Sequence, residues 1–155
     1  MFPFSFERTI EIPISGVDTN SALEMIINTL AVRIEAEKPS RFNVSENQIT
    51  FSGGMFRFVP NWNLLICIDD GVIDFVQDNQ KIFVSYKFWF LVLFSFASFV
   101  AFLFGVAIFP SGFTMQNVVV AAGTWLWFFG VNFIITIIRF EMLIRSVTRD
   151  KFYRK

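Results

Sequence analysis

The longest apolar stretch of the chain, residues 88–138, contains no Asp, Glu, Lys or Arg in 51 positions. A helix that crosses a bilayer needs roughly 20 mainly apolar residues. The stretch is therefore long enough for two spans, predicted at about 88–109 and 118–138. Because the connection between them is short, the two helices should be antiparallel neighbours. Residues 87–139 are thus predicted to form a transmembrane helical hairpin.

Apolar and polar residues alternate over residues 4–14, and Arg8 is the one charged residue on the apolar side. The apolar positions are Phe4, Phe6, Ile10, Ile12 and Ile14. Residues 19–35 instead carry one apolar stripe at helical spacing. The members of the stripe are Leu23, Ile26, Ile27, Leu30 and Ile34. These two periods predict a half-buried strand followed by an amphipathic helix.

Short strands dominate the pattern after this helix, with turn residues between them. We count about six, including one at residues 56–58 and one at residues 64–68. Residues 1–86 are therefore predicted to form an α+β domain of the order β-α-β(about 6), in which an antiparallel sheet packs on one amphipathic helix. With the hairpin behind it, the fold class is an α+β membrane protein.

The overall charge of zero hides a strong asymmetry along the chain. Residues 1–86 hold 11 acidic and 6 basic side chains, a net charge of −5, whereas residues 139–155 hold 6 basic and 2 acidic ones, a net charge of +4. Lys and Arg accumulate on the cytoplasmic side of membrane segments. The expected location is an inner or plasma membrane, with two spans and both termini in the cytoplasm.

Residues 140–155 are predicted to form a basic amphipathic tail on the cytoplasmic side. Its apolar face carries Phe140, Leu143, Ile144 and Val147. Its basic residues are expected to contact anionic lipid headgroups or to dock on the acidic domain. These residues are Arg139, Arg145, Arg149 and Lys151.

Small residues recur at helical spacing in the first predicted span, at Ala97, Ala101 and Gly105. Such a series lets helix backbones approach closely, and Gly130 lies at the matching depth of the second span. Polar side chains also converge. Ser95, Ser98, Asn132 and Thr136 are expected to form interhelical contacts near the cytoplasmic leaflet, or alternatively to line a hydrated path.

Several kinds of chemistry lack their usual residues. The chain has no His, and its single Cys67 lies in the apolar segment 64–68. We therefore predict a structural thiol, no metal, no cofactor and no enzymatic activity. The acidic residues Asp69, Asp70, Asp74 and Asp78 are interpreted as turn acids and one solvated strand position rather than as a cation site or docking face.

The function expected from these features is that of a non-enzymatic accessory, regulatory or assembly subunit that presents a β-rich domain at the membrane surface. Its partners would be lipids and either a larger membrane complex or further copies of itself, not nucleic acid. One alternative is an oligomeric channel or carrier lined by the polar residues of the spans. The other is a lipid or quinone binder with its pocket around Trp62, Tyr86 and Trp89.

Overall fold

A computed structural model of the chain describes residues 4–14, 18–53, 63–78, 80–107 and 114–152. The elements in chain order are β1 (Ser5–Pro13), α1 (Thr19–Ala36), β2 (Arg41–Ser45), β3 (Gln48–Ser52), β4 (Asp70–Asp78), β5 (Lys81–Trp89), α2 (Leu91–Ala107), α3 (Met115–Trp125) and α4 (Asn132–Phe152). A π-helical segment, Leu126–Val131, joins α3 to α4 without a break. We call these three elements together the long helix. The predicted α+β class, with an antiparallel sheet followed by helices, is confirmed.

The five strands form one antiparallel sheet in the order β1-β5-β4-β3-β2. Residues directly opposite each other in neighbouring strands share a face, as Ile73 of β4 and Tyr86 of β5 do. That inner face is apolar and buried, and it belongs to the same hydrophobic core as residues of α1 and α4. The outer face is polar and carries ion pairs such as Lys81–Glu11, with a separation of 2.6 Å.

Helix α1 begins where the sequence signals its start. The Asp18 carboxylate accepts the backbone N–H of Ser21 at 3.1 Å, as an N-cap residue does. The predicted stripe supplies the contact with the sheet, since Ile26, Leu30 and Ile34 are fully buried. The helix predicted at residues 19–35 is observed at Thr19–Ala36.

The strand predicted at residues 64–68 is wrong, because this segment forms turns. The backbone N–H of Leu64 donates to the Glu37 carboxylate at 3.0 Å, and that of Ile68 to the Leu65 carbonyl at 3.2 Å. A short apolar run can be buried as a turn as well as a strand, and its pattern does not distinguish the two. In the described residues four strands follow α1 rather than about six, and residues 54–62 lie outside that part.

The sheet extends into the uncharged stretch, because β5 continues to Trp89 and α2 begins at Leu91. Phe88 is fully buried in the core of the sheet, although the sequence placed it at the start of the first span. The domain therefore ends beyond residue 86, and the first apolar helix begins later than predicted. The alternation of buried and half-buried residues through β5 explains this, since it continues past the last charge at Lys87.

The long helix is the one element of the described residues that is long and apolar enough to cross a membrane, judged by length and composition. Only 6 % of the most apolar 18-residue stretch of this helix is buried, whereas the core helix of a soluble protein would be mostly buried. Helix α2 is apolar but has only 17 described residues. The predicted pair of spans and the cytoplasmic position of both termini are therefore not confirmed.

Candidate functional site

Helices α2 and α3 pack closely along the small-residue series predicted from the sequence. Ala97 and Ala101 are buried. A Cβ atom on Gly105 would lie only 3.1 Å from the Cβ of Ala121. The Asn117 amide donates to the Gly105 carbonyl at 2.7 Å and joins the two helices. Ala97, Ala101 and Gly105 are thus all buried on α2, and Gly105 lies in the contact with α3.

Gly130 does not take part in this packing, because a Cβ atom built on it would meet nothing within 4 Å. The neighbouring Phe129 is the residue that faces α2, and its ring centre lies 5.6 Å from that of Phe94. Phe129 and Gly130 both belong to the π-helical segment. The wider turn of a π-helix changes which positions face the partner helix. The prediction that Gly130 lies opposite the small residues of α2 assumed a regular α-helix throughout the second span.

The predicted polar level between Ser95 and Asn132 is not formed in the described residues. Ser95 is exposed, and the Asn132 amide donates within its own helix to the Phe128 carbonyl at 2.8 Å. The Thr136 hydroxyl likewise donates to the Asn132 carbonyl at 2.8 Å. Both bonds run to the carbonyl four residues earlier in the same helix, so each polar side chain finds its partner within its own helix.

Ser98 makes the interhelical polar contact that the sequence expected of the whole group. Its hydroxyl oxygen accepts the indole N–H of Trp125 at 3.1 Å. Trp125 is half-buried, and its ring stacks at an angle on Phe129 with centres 4.8 Å apart. The side chains proposed for a hydrated path are therefore spread over separate contacts.

The apolar face of the predicted tail lies inside the domain. Phe140, Ile144 and Val147 of α4 are buried, and the Phe140 ring meets the Phe88 ring edge-on with centres 4.4 Å apart. Since α4 is continuous with the apolar part of the long helix, the same helix leaves the apolar segment and completes the core of the sheet. The tail is thus a core element over this length.

A charged cluster lies beside the contact between α4 and the sheet. Glu141 of α4 lies between Arg8 of β1 and Arg145, and it pairs with both. The Tyr86 hydroxyl is buried nearby, beside the Arg8 guanidinium. Burial raises the pKa of Tyr86. Arg8, the one charged residue of the apolar face of β1, thus holds the start of the sheet to α4.

Two further basic positions predicted for the tail, Arg149 and Lys151, have side chains outside the described part. Arg139 is half-buried rather than fully exposed. The predicted lipid contact of these residues stays a prediction.

The acidic residues have separate roles. Asp74 accepts a hydrogen bond from the Gln48 amide at 2.6 Å, and the Asp69 carboxylate accepts the N–H of Val92 in the first turn of α2 at 2.9 Å. No group of three or more potential metal ligands occurs among the described residues. Burial raises the pKa of the Cys67 thiol, as expected for a structural cysteine.

A cleft of about 620 Å³ lies where the outer face of the sheet meets the start of α2. Its polar wall is formed by Arg41 of β2, Ser52 of β3 and Asp70 of β4. These residues lie side by side because Arg41 pairs with Ser52, and Ser52 with Asp70. Its apolar wall consists of Val72, Trp89, Leu91 and Val92, and Ser40 and Asp69 complete the lining.

Backbone hydrogen bonds fix the floor of this cleft. The N–H of Asp69 donates to the Trp89 carbonyl at 2.9 Å, and the N–H of Gly53 to the Asp69 carbonyl at 2.8 Å. The Ser52 hydroxyl donates to the same Asp69 carbonyl at 3.0 Å. A cleft of this size with a few fixed polar groups has the features of a ligand site.

The lipid- or quinone-binder alternative predicted a pocket around Trp62, Tyr86 and Trp89, and this cleft shares one of those residues. Of the three, Trp89 lines the cleft, Tyr86 faces the opposite side of the sheet, and Trp62 lies outside the described residues. Arg41 and Ser52 were missed. They reach the cleft through strand pairing, and neither carries a local sequence signal.

The chain matches no protein family, no curated protein and no solved structure.

Proposed function

We propose that this protein is a two-span membrane protein with both termini in the cytoplasm, and that it acts as a non-enzymatic accessory or assembly subunit. In this role it holds its sheet domain in a fixed position against the membrane surface. The observation that carries the proposal is the long helix. It runs without a break from an exposed apolar segment into the core of the sheet, where Phe140 is fully buried.

A second connection supports a fixed position. Strand β5 enters α2 with only Phe90 between them, and Phe90 is fully buried. Its ring lies edge-on to Phe133 of the long helix, with centres 4.9 Å apart. Phe4 packs in the same way against Phe94, also at 4.9 Å. The domain therefore contacts both apolar helices at one end, and neither connection has room for a flexible linker.

The outer surface of the two apolar helices supports membrane insertion. Phe99 and Phe102 of α2 and Trp127 of the long helix are all more than 60 % exposed. Soluble proteins rarely expose contiguous apolar surface of this kind, which marks contact with lipid or a membrane partner. With α2 as the first span, the basic residues after Ile138 and the domain lie on the same, cytoplasmic side.

The channel alternative has less support. It requires a shared polar path, yet Asn132 and Thr136 bond within their own helix, and Ser98 bonds to Trp125. No ionisable side chain lies in residues 88–138 to select or relay an ion.

The topology can be tested with an impermeant thiol reagent on intact cells. In a Cys67→Ser background, Met115→Cys should be labelled from outside, because Met115 is 78 % exposed at the end of the long helix away from the domain. Glu46→Cys, in the turn between β2 and β3, should be labelled only after permeabilisation. Labelling of both positions from the same side would contradict the two-span topology.

The accessory role can be tested by mild extraction into lipid nanodiscs and measurement of the particle mass. We expect a stoichiometric complex with a different membrane protein, weakened by Phe102→Ala and unaffected by Val32→Ala on the exposed face of α1. A closed ring of this chain alone would favour the channel. A lone monomer in every lipid tested would contradict the accessory role.

A further inference from the structure

We propose that the cleft between the sheet and α2 binds the phosphoethanolamine headgroup of a membrane phospholipid. The proposal rests on the proposed function, because it requires that α2 enters the bilayer beside the cleft. It adds a specific lipid ligand, bound by residues of the sheet domain, to the proposed role of holding that domain at the membrane surface.

Charge in the cleft fits a headgroup that carries both signs. Arg41 and Asp70 line opposite sides of the polar wall, and neither makes an ion pair or hydrogen bond within the described part of the chain. Two strand spacings separate them, about 10 Å between backbones, so both side chains can reach a ligand placed between them. The guanidinium suits a phosphate, and the carboxylate suits an ammonium.

The remaining polar groups favour a ligand that donates hydrogen bonds. The hydroxyls of Ser40 and Ser52 already donate to backbone carbonyls, at 2.9 Å and 3.0 Å. Their oxygens keep lone pairs that can accept a hydrogen bond, and the carboxylates of Asp69 and Asp70 can only accept when ionised. A primary ammonium provides three N–H donors, whereas the quaternary ammonium of choline provides none.

The charge balance argues against an anionic headgroup. Two carboxylates and one guanidinium line the cleft, and burial raises the pKa of Asp69. An ammonium beside Asp69 would favour its ionised form, whereas a phosphate without an ammonium would bring a further negative charge to the two acids. The cleft therefore prefers a zwitterion to phosphate alone.

The apolar wall indicates a lipid rather than a free phosphate ester. Leu91 is 54 % exposed, and Trp89 lies beside Lys87, whose ammonium is 5.6 Å from the centre of the indole ring. Aromatic and basic residues of this kind are typical of the membrane interface. From Leu91 the wall continues onto α2, so that a headgroup in the cleft leaves its acyl chains beside an apolar helix.

The test measures lipid retention by native mass spectrometry of the full chain, released from nanodiscs of defined composition. With matched acyl chains, we expect phosphatidylethanolamine to be retained at least about tenfold more strongly than phosphatidylcholine or phosphatidylglycerol, since charged hydrogen bonds are lost with the latter two. Free phosphoethanolamine should compete only weakly. Equal retention of the three lipids, or equal binding of the free headgroup, would overturn the proposal.

Two variants locate the site, and each has a matched control. Arg41→Ala and Asp70→Asn should each reduce retention of phosphatidylethanolamine about tenfold. Arg33→Ala on α1 and Glu46→Gln in the turn between β2 and β3 should leave it unchanged. All four residues are exposed, so the fold should persist, and circular dichroism checks this.

Unchanged retention in both site variants would place the lipid elsewhere and refute the assignment. The thiol-labelling experiment is independent of this readout. Outside labelling at Met115 without selective retention would refute the headgroup site alone, whereas failed outside labelling would refute the proposed topology.

Discussion

Replacing Phe140 by Ala should lower the free energy of unfolding of the sheet domain by about 3–5 kcal/mol. Phe140 is fully buried, and its ring contacts Phe51 of β3 and both Tyr86 and Phe88 of β5. Its removal leaves a cavity between α4 and the sheet. Since whole domains are stable by only about 5–15 kcal/mol, the loss is a large share of the total. Hydrogen exchange of the β4 and β5 amides in detergent micelles would measure it.

Met142→Ala provides the matched control on the same helix. Met142 is 56 % exposed, so its truncation should change the free energy of unfolding by less than about 1 kcal/mol. If Phe140→Ala had an effect as small as Met142→Ala, α4 would not be part of the domain core.

Insertion of one Ala between Ile138 and Arg139 should destabilise the domain at least as much as Phe140→Ala. In an α-helix each added residue turns the following residues by about 100° and moves them by about 1.5 Å. Phe140, Ile144 and Val147 would then leave the sheet, while the apolar part of the long helix would stay in place. We expect loss of exchange protection throughout β3, β4 and β5, with faster proteolysis of the domain.

An Ala inserted between Glu46 and Asn47 serves as the control, because this turn is exposed and joins β2 to β3 at the sheet surface. It should lower exchange protection only at the Phe75 amide, which donates to the Asn47 carbonyl at 2.9 Å, and leave the rest of β4 and β5 unchanged. If the insertion in α4 were tolerated equally well, the helix would be a flexible tether. The proposal that the domain is held at a fixed position would then be wrong.

The junction of sheet and helices gives these effects a common basis. The long helix completes the core on the inner face, and α2 begins at the outer face beside the cleft. A displacement of the domain relative to the apolar helices would therefore disturb both the core and the proposed headgroup site. This coupling makes the junction the most informative target for mutation.

For the amphipathic tail, the sequence pattern predicted the helix but not its packing partner. Its apolar stripe was readable from spacing alone, and charge complementarity predicted docking on the acidic domain. In the structure the buried surface is made by Phe140, Ile144 and Val147, while Arg145 pairs with Glu141 on the same helix. The pattern predicted a helix with one apolar face, but it carried no information about which surface covers that face.

In two other places the sequence pattern predicted the wrong local geometry. These are the turn at residues 64–68 and the contacts of Asn132. Both predictions assumed regular geometry, an extended strand in one and an unbroken α-helix in the other. A turn whose Leu64 N–H donates to the Glu37 carboxylate replaced the strand, and a π-helical segment interrupted the α-helix. Neither is visible in local periodicity, because Glu37 lies 27 positions before Leu64 and a π-helical turn leaves no mark in the apolar pattern.

The sequence by itself determined the features that local periodicity and charge encode. These are the strand at the amino terminus, the helix from Thr19, the close packing at Gly105 and the apolar character of the long helix. The tertiary structure alone decided that Phe88 belongs to the sheet, that Arg8 pairs with Glu141 across 133 positions, and that Arg41 reaches a cleft beside α2. The physical reason is that these contacts join residues far apart in sequence, and their energies depend on strand register and helix continuity rather than on neighbouring residues.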